Sequence, residues 1–433
     1  MYRLTIIFIL LLFPLMAVAQ QADRESAGGS SYSSIGVGLP VDTHSSITSG
    51  MGLPGVSVFD SFSASSSNPA LWGVSFHTQG NISAGLSNFQ TSDGIETSRF
   101  NQLTVDQFQL VLPIIRQSLG VSIGFYPVTR SSFQLSSQGS IAPEPGSTPI
   151  QFLNNLDGSG GINKFEFGLG YRFGTNFAIG YAASVYLASI DRNFETFFDS
   201  PRFSTLEYTE SYTGAALGNR FGIYGRLNDL LRSNDRISIG GALTLPVEID
   251  IDREVTGYRF VGNQFSLVDL LPSTGVRNGN ISLPLEYSAG ITYQPSGQFN
   301  VTAEYTAQQW NDTDFSFHPS QEEYLVNRSR YGVGMQFHPY VVEGRESFLS
   351  NLRYSAGASY DTGHLNIDGH GIDTLMFHLG IGVLSQQAQS SIDISFQYGF
   401  RGTEAQNLIE ERIWGIKLSL NLAEIMFVQQ RFQ

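Results

Sequence analysis

The 433-residue chain carries 38 acidic against 24 basic side chains, a net charge of −14, and only Lys164 and Lys417 among the bases are lysines. That balance disfavours nucleic acid as a partner, which calls for a basic patch, and the absence of cysteine excludes disulfides, thiol chemistry and a lipid-modified N-terminal Cys. Charged residues make up 14% of the chain, well below the roughly one quarter of a soluble domain. Gly and the aromatics Phe and Tyr are plentiful, as a transmembrane barrel requires when only alternate residues face lipid. The acidity itself reads as a solvated rim and loops, with a high-salt habitat or a cation-attracting mouth as alternatives.

In chain order, Arg3, the apolar run Leu4–Met16 and Ala17-Val18-Ala19 form a secretory signal with cleavage expected after Ala19. The run is too short to span a bilayer as a helix, which takes about 20 residues, so an uncleaved anchor is the lesser alternative. Residues 20–72 are expected to be a small plug. Between Ser26 and Ala70, 21 of 45 residues are Gly or Ser, with sparse apolar points at Val56, Val58, Phe59 and Phe62. Such a stretch is a flexible linker unless the lumen of a barrel orders it. Asn68-Pro69-Ala70 closes it with a rigid corner, because Asn before Pro is held extended and Pro fits the first position of a capped helical turn.

From there to residue 422 the chain alternates with period two. Phe165, Phe167, Leu169, Tyr171 and Phe173 interleave with Glu166, Gly168, Gly170 and Arg172; Ile392, Ile394, Phe396, Tyr398 and Phe400 interleave with Asp393, Ser395, Gln397, Gly399 and Arg401. Rings are expected to face lipid and charges the lumen. The longest series, Ile237, Ile239, Gly241, Leu243, Leu245, Val247, Ile249 and Ile251, outruns the roughly 9–11 residues that cross a membrane, so this strand should project beyond it. Fourteen strands are expected, near 74–87, 99–113, 118–133, 162–173, 176–198, 204–227, 236–258, 280–294, 298–310, 326–338, 351–363, 373–384, 390–401 and 410–422. Short turns follow every second strand, with longer segments at 134–161, 259–279 and 311–325 between them, as short periplasmic turns and long external loops require. The apolar phase changes between Val105 and Phe108, so a bulge near Asp106-Gln107 should restore it. The fold class is therefore an all-β, antiparallel transmembrane barrel in a bacterial outer membrane. A soluble sandwich or propeller would place polar residues on the outward face.

Three patches carry a family resemblance: Asn68-Pro69-Ala70; the hairpin from Leu283-Pro284 through Gln294-Pro295 to Trp310; and Arg353-Tyr354-Ser355-Ala356-Gly357 with the hairpins after it. They resemble the FadL/TodX-like outer-membrane transporters of long-chain fatty acids and aromatic hydrocarbons. The resemblance implies a fourteen-stranded barrel closed by an N-terminal hatch at Asn68, Pro69 and Ala70. It also implies passive uptake of a hydrophobic small molecule, captured at the external loops and released through a side opening. The Gly/Ser-rich hatch departs from the family pattern. The tail 423–433, with Phe427 and Arg431-Phe432, also resembles the ends of relatives that serve secretion machinery, and Phe432 suits recognition by the barrel-assembly machinery.

No phosphate loop, zinc-protease helix or nucleophile elbow occurs, so neither catalysis nor a cofactor is expected. The histidines His77, His338 and His378 stand at lumenal positions. The polar run from Asp361 to Asp373 offers carboxylates and turn carbonyls to a divalent cation, but its spacing matches no defined calcium loop and turn residues suit any external hairpin. Arg172, Arg353 and Arg401 are the lumenal candidates for meeting a ligand carboxylate, against plain pairing with Glu166, Glu304 or Asp393. A structural or secretion-associated barrel without solute transport, and a wall enzyme with a Ser/His pair, are the competing readings.

Overall fold

Fourteen antiparallel strands close on themselves in the computed structural model, which describes residues 28–424 apart from 143–147, 201–202, 204, 262–263, 271–274, 340–351, 386–389 and 406–407. The expected export signal and most of the tail lie outside the described residues. The wall runs β1 (Thr78–Ser92), β2 (Thr97–Ile115), β3 (Leu119–Arg130), β4 (Ile150–Phe173), β5 (Phe177–Phe198), β6 (Leu206–Asn228) and β7 (Arg236–Thr244 with Val247–Val261). It continues through β8 (Asn278–Leu283 with Glu286–Ser296), β9 (Phe299–Gln308), β10 (Arg328–Phe337), β11 (Leu352–Asp361), β12 (Thr374–Ser385), β13 (Ser390–Gly402) and β14 (Glu410–Glu424). Each strand pairs with its neighbours, and β14 pairs with β1 at Asn421 opposite Asn81, leaving no open edge. No described helix is long and apolar enough to cross a membrane.

The alternation sets the two faces. Phe167, Leu379, Ile394 and Trp414 are exposed on the outer surface, while Glu166, Arg220, Glu304 and Asp393 are buried on the inner one. That is the apolar belt of a membrane barrel turned outward and a polar lumen turned inward. The expected bulge is present: Gln107 pairs with Ser83 and Val105 with Ala84, so Asp106 is the extra residue.

Three expectations need correction. Residues 134–161 are largely strand, because Phe133–Ile141 continues β3 after a two-residue break and pairs with the extended β4, whose Gly160 and Gly161 take positive φ at the break. Within 259–279, Gln264–Asp269 folds back on the end of β7 as a hairpin. Third, the long alternation of β7 does not keep one facing.

Ile239 and Leu243 face outward, but Val247, Ile249 and Ile251 are buried and Glu248, Asp250, Asp252 and Glu254 are exposed. The inversion falls at the neighbouring gaps of two paired strands, Leu245-Pro246 in β7 and Pro284-Leu285 in β8. Proline cannot donate to a ladder. From Leu243 to Pro246, both exposed, the chain advances three residues rather than two, which inverts the pleat; β8 inverts in the same place, with Tyr287 outside and Leu283 inside. Above the prolines the apolar side chains build a packed core at the loop end of the barrel, where Tyr186, Ile190 and Tyr212 meet Ile249, Ile281, Trp310 and Phe315. The strand does project, but as a solvent-facing acidic sheet over an inner apolar core.

Candidate functional site

The described N-terminal segment, residues 28–75, lies within the barrel. It enters at the loop end and descends to the short-turn end before β1 begins. Its Ser and Gly content, which offers little apolar burial, is matched by hydrogen bonds to the wall at each level. Ser33 Oγ donates to the carbonyl of Ser132 (2.8 Å), and Leu39 and Pro40 pair as a short strand with Arg130 and Thr129 of β3. Lower down, Ser49 Oγ meets Ser395 Oγ (2.5 Å) and the Gly55 amide donates to Glu304 (2.7 Å). Val56 and Val58 are buried as expected, and so are Met51 and Leu53.

The corner at Asn68, Pro69 and Ala70 is fully seated. Asn68 caps the turn Pro69–Val74 by accepting from the Ala70 amide (3.0 Å), and its Nδ2 donates to the carbonyls of Val56 (2.7 Å) and Ile223 (2.9 Å). The lumenal positions beneath it are glycines: at Gly120, Gly170, Gly180 and Gly222 any added Cβ would collide with atoms of Asn68–Gly73. Glycine recurs at these even positions because the wall admits backbone there, not side chains. Trp72 closes the floor, its indole N–H donating to Ser65 O (2.8 Å).

Charged side chains fasten this segment. Glu411, fully buried on β14, accepts from Ser30 Oγ (2.7 Å) and the Ser31 amide (2.7 Å), and pairs with Arg401 (3.3 Å). Arg328 spans Asp361 (2.5 Å) on β11 and Asp42 (2.8 Å) on the segment. Arg330 donates to Gly52 O (2.7 Å) and reaches His44 Nε2 (3.3 Å). Arg220 donates to the carbonyls of Ser66 (2.8 Å) and Ser67 (3.0 Å) while paired with Glu166. Arg353 is paired with Asp393 and approaches Asp60 (3.6 Å).

Of the three sequence candidates, Arg353 and Arg401 therefore hold wall carboxylates and the segment together. Arg172 stands apart at the short-turn rim, its amide donating to Ser118 O (2.7 Å). Asp42, Arg220, Arg328, Arg330 and Glu411 escaped sequence reasoning. The available signal was their place in the polar phase, Arg328 and Arg330 being two apart on one strand face. Their partners are hundreds of residues away and invisible to any local pattern.

Between residues 39–49 of the segment and the wall lies a cavity of about 250 Å³, lined by Asp42, His44, Asp106, Arg130, Arg330 and Lys417 among others. Burial alone would raise the Asp42 carboxyl, but Arg328 and Arg330 beside it hold it well below the usual carboxylate range. Burial, reinforced by Arg330, pushes His44 well below the ordinary imidazole value, so it is neutral. At the cavity's edge His364 packs at a tilt against Trp310 (4.9 Å between centroids), and burial with Arg328 nearby lowers it to about 3. Asp361, foremost of the candidate cation ligands, is occupied by Arg328 and by the Gly363 amide (2.8 Å). Chemically the lumen is a charged, hydrogen-bonded seal, and the apolar cluster above it is packed.

No curated protein matches the chain. Among solved structures the chain is similar to a FadL homologue of Pseudomonas aeruginosa (13% identity, TM-score 0.59, covering 90% of this chain and all of that one). It is also similar to the toluene transporter TodX of P. putida (11%, 0.55, 90% and 100%) and the toluene transporter TbuX of Ralstonia pickettii (13%, 0.51, 92% and 99%). At such identities the likeness is one of fold: this chain shares the barrel of hydrophobic-compound channels. The sequence model that does match spans residues 1–433 and is that of BamG, so the chain belongs to the BamG family.

Proposed function

We propose that this chain is a closed, non-enzymatic outer-membrane barrel that serves the barrel-assembly machinery as a structural subunit, its outer belt contacting outer-membrane lipid. The observation that carries the reading is the lumenal seal. Residues 28–75 are bound to the wall through Arg220, Glu304, Arg328, Arg330 and Glu411, and the cavity beside them is charged. An apolar solute crossing this lumen would have to displace buried ion pairs, and separating one such pair costs about 3–5 kcal/mol. The family's name points to the same machinery.

The second reading is passive uptake of hydrophobic molecules, long-chain fatty acids among them, with Asn68, Pro69 and Ala70 as a hatch and Arg172, Arg353 and Arg401 along the path. The barrel shared with toluene transporters favours it. The two part experimentally. Tagged full-length protein extracted in mild detergent should co-purify with the central barrel of the assembly machinery, and depleting it should lower the levels of other outer-membrane barrels. Recovery as a lone barrel that speeds toluene or radiolabelled fatty-acid entry into liposomes would overturn the first reading in favour of the second. Deleting residues 26–66 while keeping the corner should raise single-channel conductance in either case, because the segment fills the lumen.

A further inference from the structure

The short-turn rim departs from the charge economy of the rest of the lumen. Elsewhere several wall guanidiniums have a carboxylate within 4 Å, Glu166 for Arg220, Glu210 for Arg253, Asp361 for Arg328, Asp42 for Arg330, Asp393 for Arg353 and Glu411 for Arg401, while Arg192 donates to Gly36 O. Three arginines on β4, β6 and β7 have none among the described residues. Arg172 and Arg226 each bury an Nε without a partner, as Arg192, Arg220 and Arg253 also do, so it is the lack of a carboxylate that sets the rim arginines apart from Arg220 and Arg253. Arg226 donates only to Thr175 O (3.2 Å), in the turn that follows Arg172. Arg236 makes long contacts to Asn228 Oδ1 (3.3 Å) and Gln294 Oε1 (3.4 Å).

Register brings the three together. Asn228 pairs with Arg236 and Arg226 with Ser238, so Arg226 and Arg236 are diagonal neighbours, about 7–8 Å apart along the wall. Arg172 pairs with Ala178, and Ala178 with Tyr224, two residues from Arg226, so the three arginines take neighbouring inward positions at the rim, around a fully buried Ala178 packed against Leu71 and Val74. The nearby carboxylates are directed elsewhere. Asp235 accepts from the amides of Leu230 (2.9 Å), Leu231 (3.1 Å) and Arg232 (2.9 Å), and Asp229 from that of Asn234 (2.6 Å). In a chain of net charge −14, three neighbouring arginines with no carboxylate in reach among the described residues form a local cationic patch.

We propose that Arg172, Arg226 and Arg236 form a binding site for a phosphate-type oxyanion at the short-turn mouth of the barrel. Guanidinium forks match tetrahedral and planar oxyanions in bidentate fashion, and the half-buried rim keeps water from screening them. The oxyanion is either free phosphate or the headgroup of a phospholipid whose chains lie along the exposed Leu227, Leu230 and Leu231 on the same turn. The site is independent of whether the barrel transports or scaffolds.

The test is isothermal titration of the full chain in detergent with inorganic phosphate, and separately with dihexanoyl phosphatidylglycerol below its micelle concentration. Wild-type protein should bind at least one probe, more weakly as salt rises. R226Q and R236Q should each weaken binding about tenfold or more, and R226K less, because it keeps the charge without the fork. R412Q, an exposed loop-end control, should change nothing. Tighter binding of the lipid that is competed by phosphate identifies the headgroup as the natural occupant; binding of phosphate alone identifies the soluble ion. If R226Q fails to fold, R236Q and R172Q decide. Absence of binding for both probes, or equal binding by wild type and the glutamine variants, would overturn the proposal.

Discussion

The two halves of β7 and β8 have the same alternation and opposite facing. Below Pro246 and Pro284, Ile239, Leu243 and Tyr287 look outward while Ser238 and Ser288 look into the lumen; above them Ile249, Ile251 and Ile281 look inward while Glu248, Asp250 and Asp252 look out. The lower half obeys the solvent rule of a membrane barrel, the upper half that of a water-soluble sheet. Alternation thus identifies a strand with two unlike faces, but which face is wet depends on what surrounds the barrel at that height. The acidic outward residues set the upper limit of the apolar belt at Leu243 on this side.

The largest effect expected from that difference is in the inner core. Ile249→Asp should destabilise the barrel by about 3–5 kcal/mol, because it leaves a charge unpaired among Tyr212, Ile251 and Phe315. Asp250→Asn, one residue on, should fall within about 0.5 kcal/mol. Guanidinium unfolding in micelles, followed by loss of the heat-modifiable gel band, measures both. Comparable losses at the two positions would mean that the facing of the upper half is wrong.

Next comes the lower half. Ile239→Arg, deeper on the lipid face, should cost about 2–4 kcal/mol, whereas Asp250→Arg, outward but above the belt, should cost little. A tolerated Ile239→Arg would remove the boundary drawn at the prolines.

Much of the wall was legible before any coordinates, because period two extends over ten or more residues per strand and is insensitive to end effects. The strand count and the bulge at Asp106 follow from that pattern alone. The inversion was not read, although its signal was present: Pro246 and Pro284 sit inside apolar runs where a proline cannot extend a central ladder. The hairpin extensions at 133–141 and 264–269 were hidden because outside the belt a strand no longer needs an apolar face. For the lumen, the corner at Asn68 and two arginines were legible as types, but pairs such as Asp42 with Arg328 join residues far apart in sequence, and lumenal polarity alone does not choose among partners.

A further effect separates the loop end from the rest by pH. His44 faces Arg330, Lys417, Asp42 and His378, and His364 faces Arg328, Asp361 and Arg401; burial and these cations lower both imidazoles in the folded state. Below about pH 6.5 the unfolded chain takes up protons that the folded chain refuses, so stability falls as pH falls, by about 1.4 kcal/mol per pH unit for each such histidine. The loss should run from about pH 6.5 downward, before the carboxylates of ion pairs such as Asp42 with Arg328 begin to protonate. Unfolding midpoints between pH 7.5 and 5 should show this slope, and H44Q/H364Q should reduce it, by about 1.4 kcal/mol per pH unit for each histidine removed. An unchanged slope in the double variant would place the titration elsewhere.

The smallest change concerns the prolines themselves, and it distinguishes two causes of the inversion. If the ladder break alone turns the pleat, P246A/P284A restores two N–H donors in adjacent strands and lets the sheet run through. If the packed core of Tyr212, Ile249, Ile281 and Phe315 holds the upper half in place, the alanines change little, because righting the pleat would expose that core and bury four acidic side chains. The core is the stronger determinant: at about 25 cal/mol per Å² of apolar surface, its exposure outweighs two ladder bonds of about 1 kcal/mol each. P246A/P284A should therefore shift stability by no more than about 1 kcal/mol, and the amides of residues 246 and 284 should still exchange quickly with deuterium. Ile249→Asp should remain as damaging in that background as in the wild type. Slow exchange at the new amides, together with a lowered penalty for Ile249→Asp, would instead show that the two prolines by themselves divide the wall.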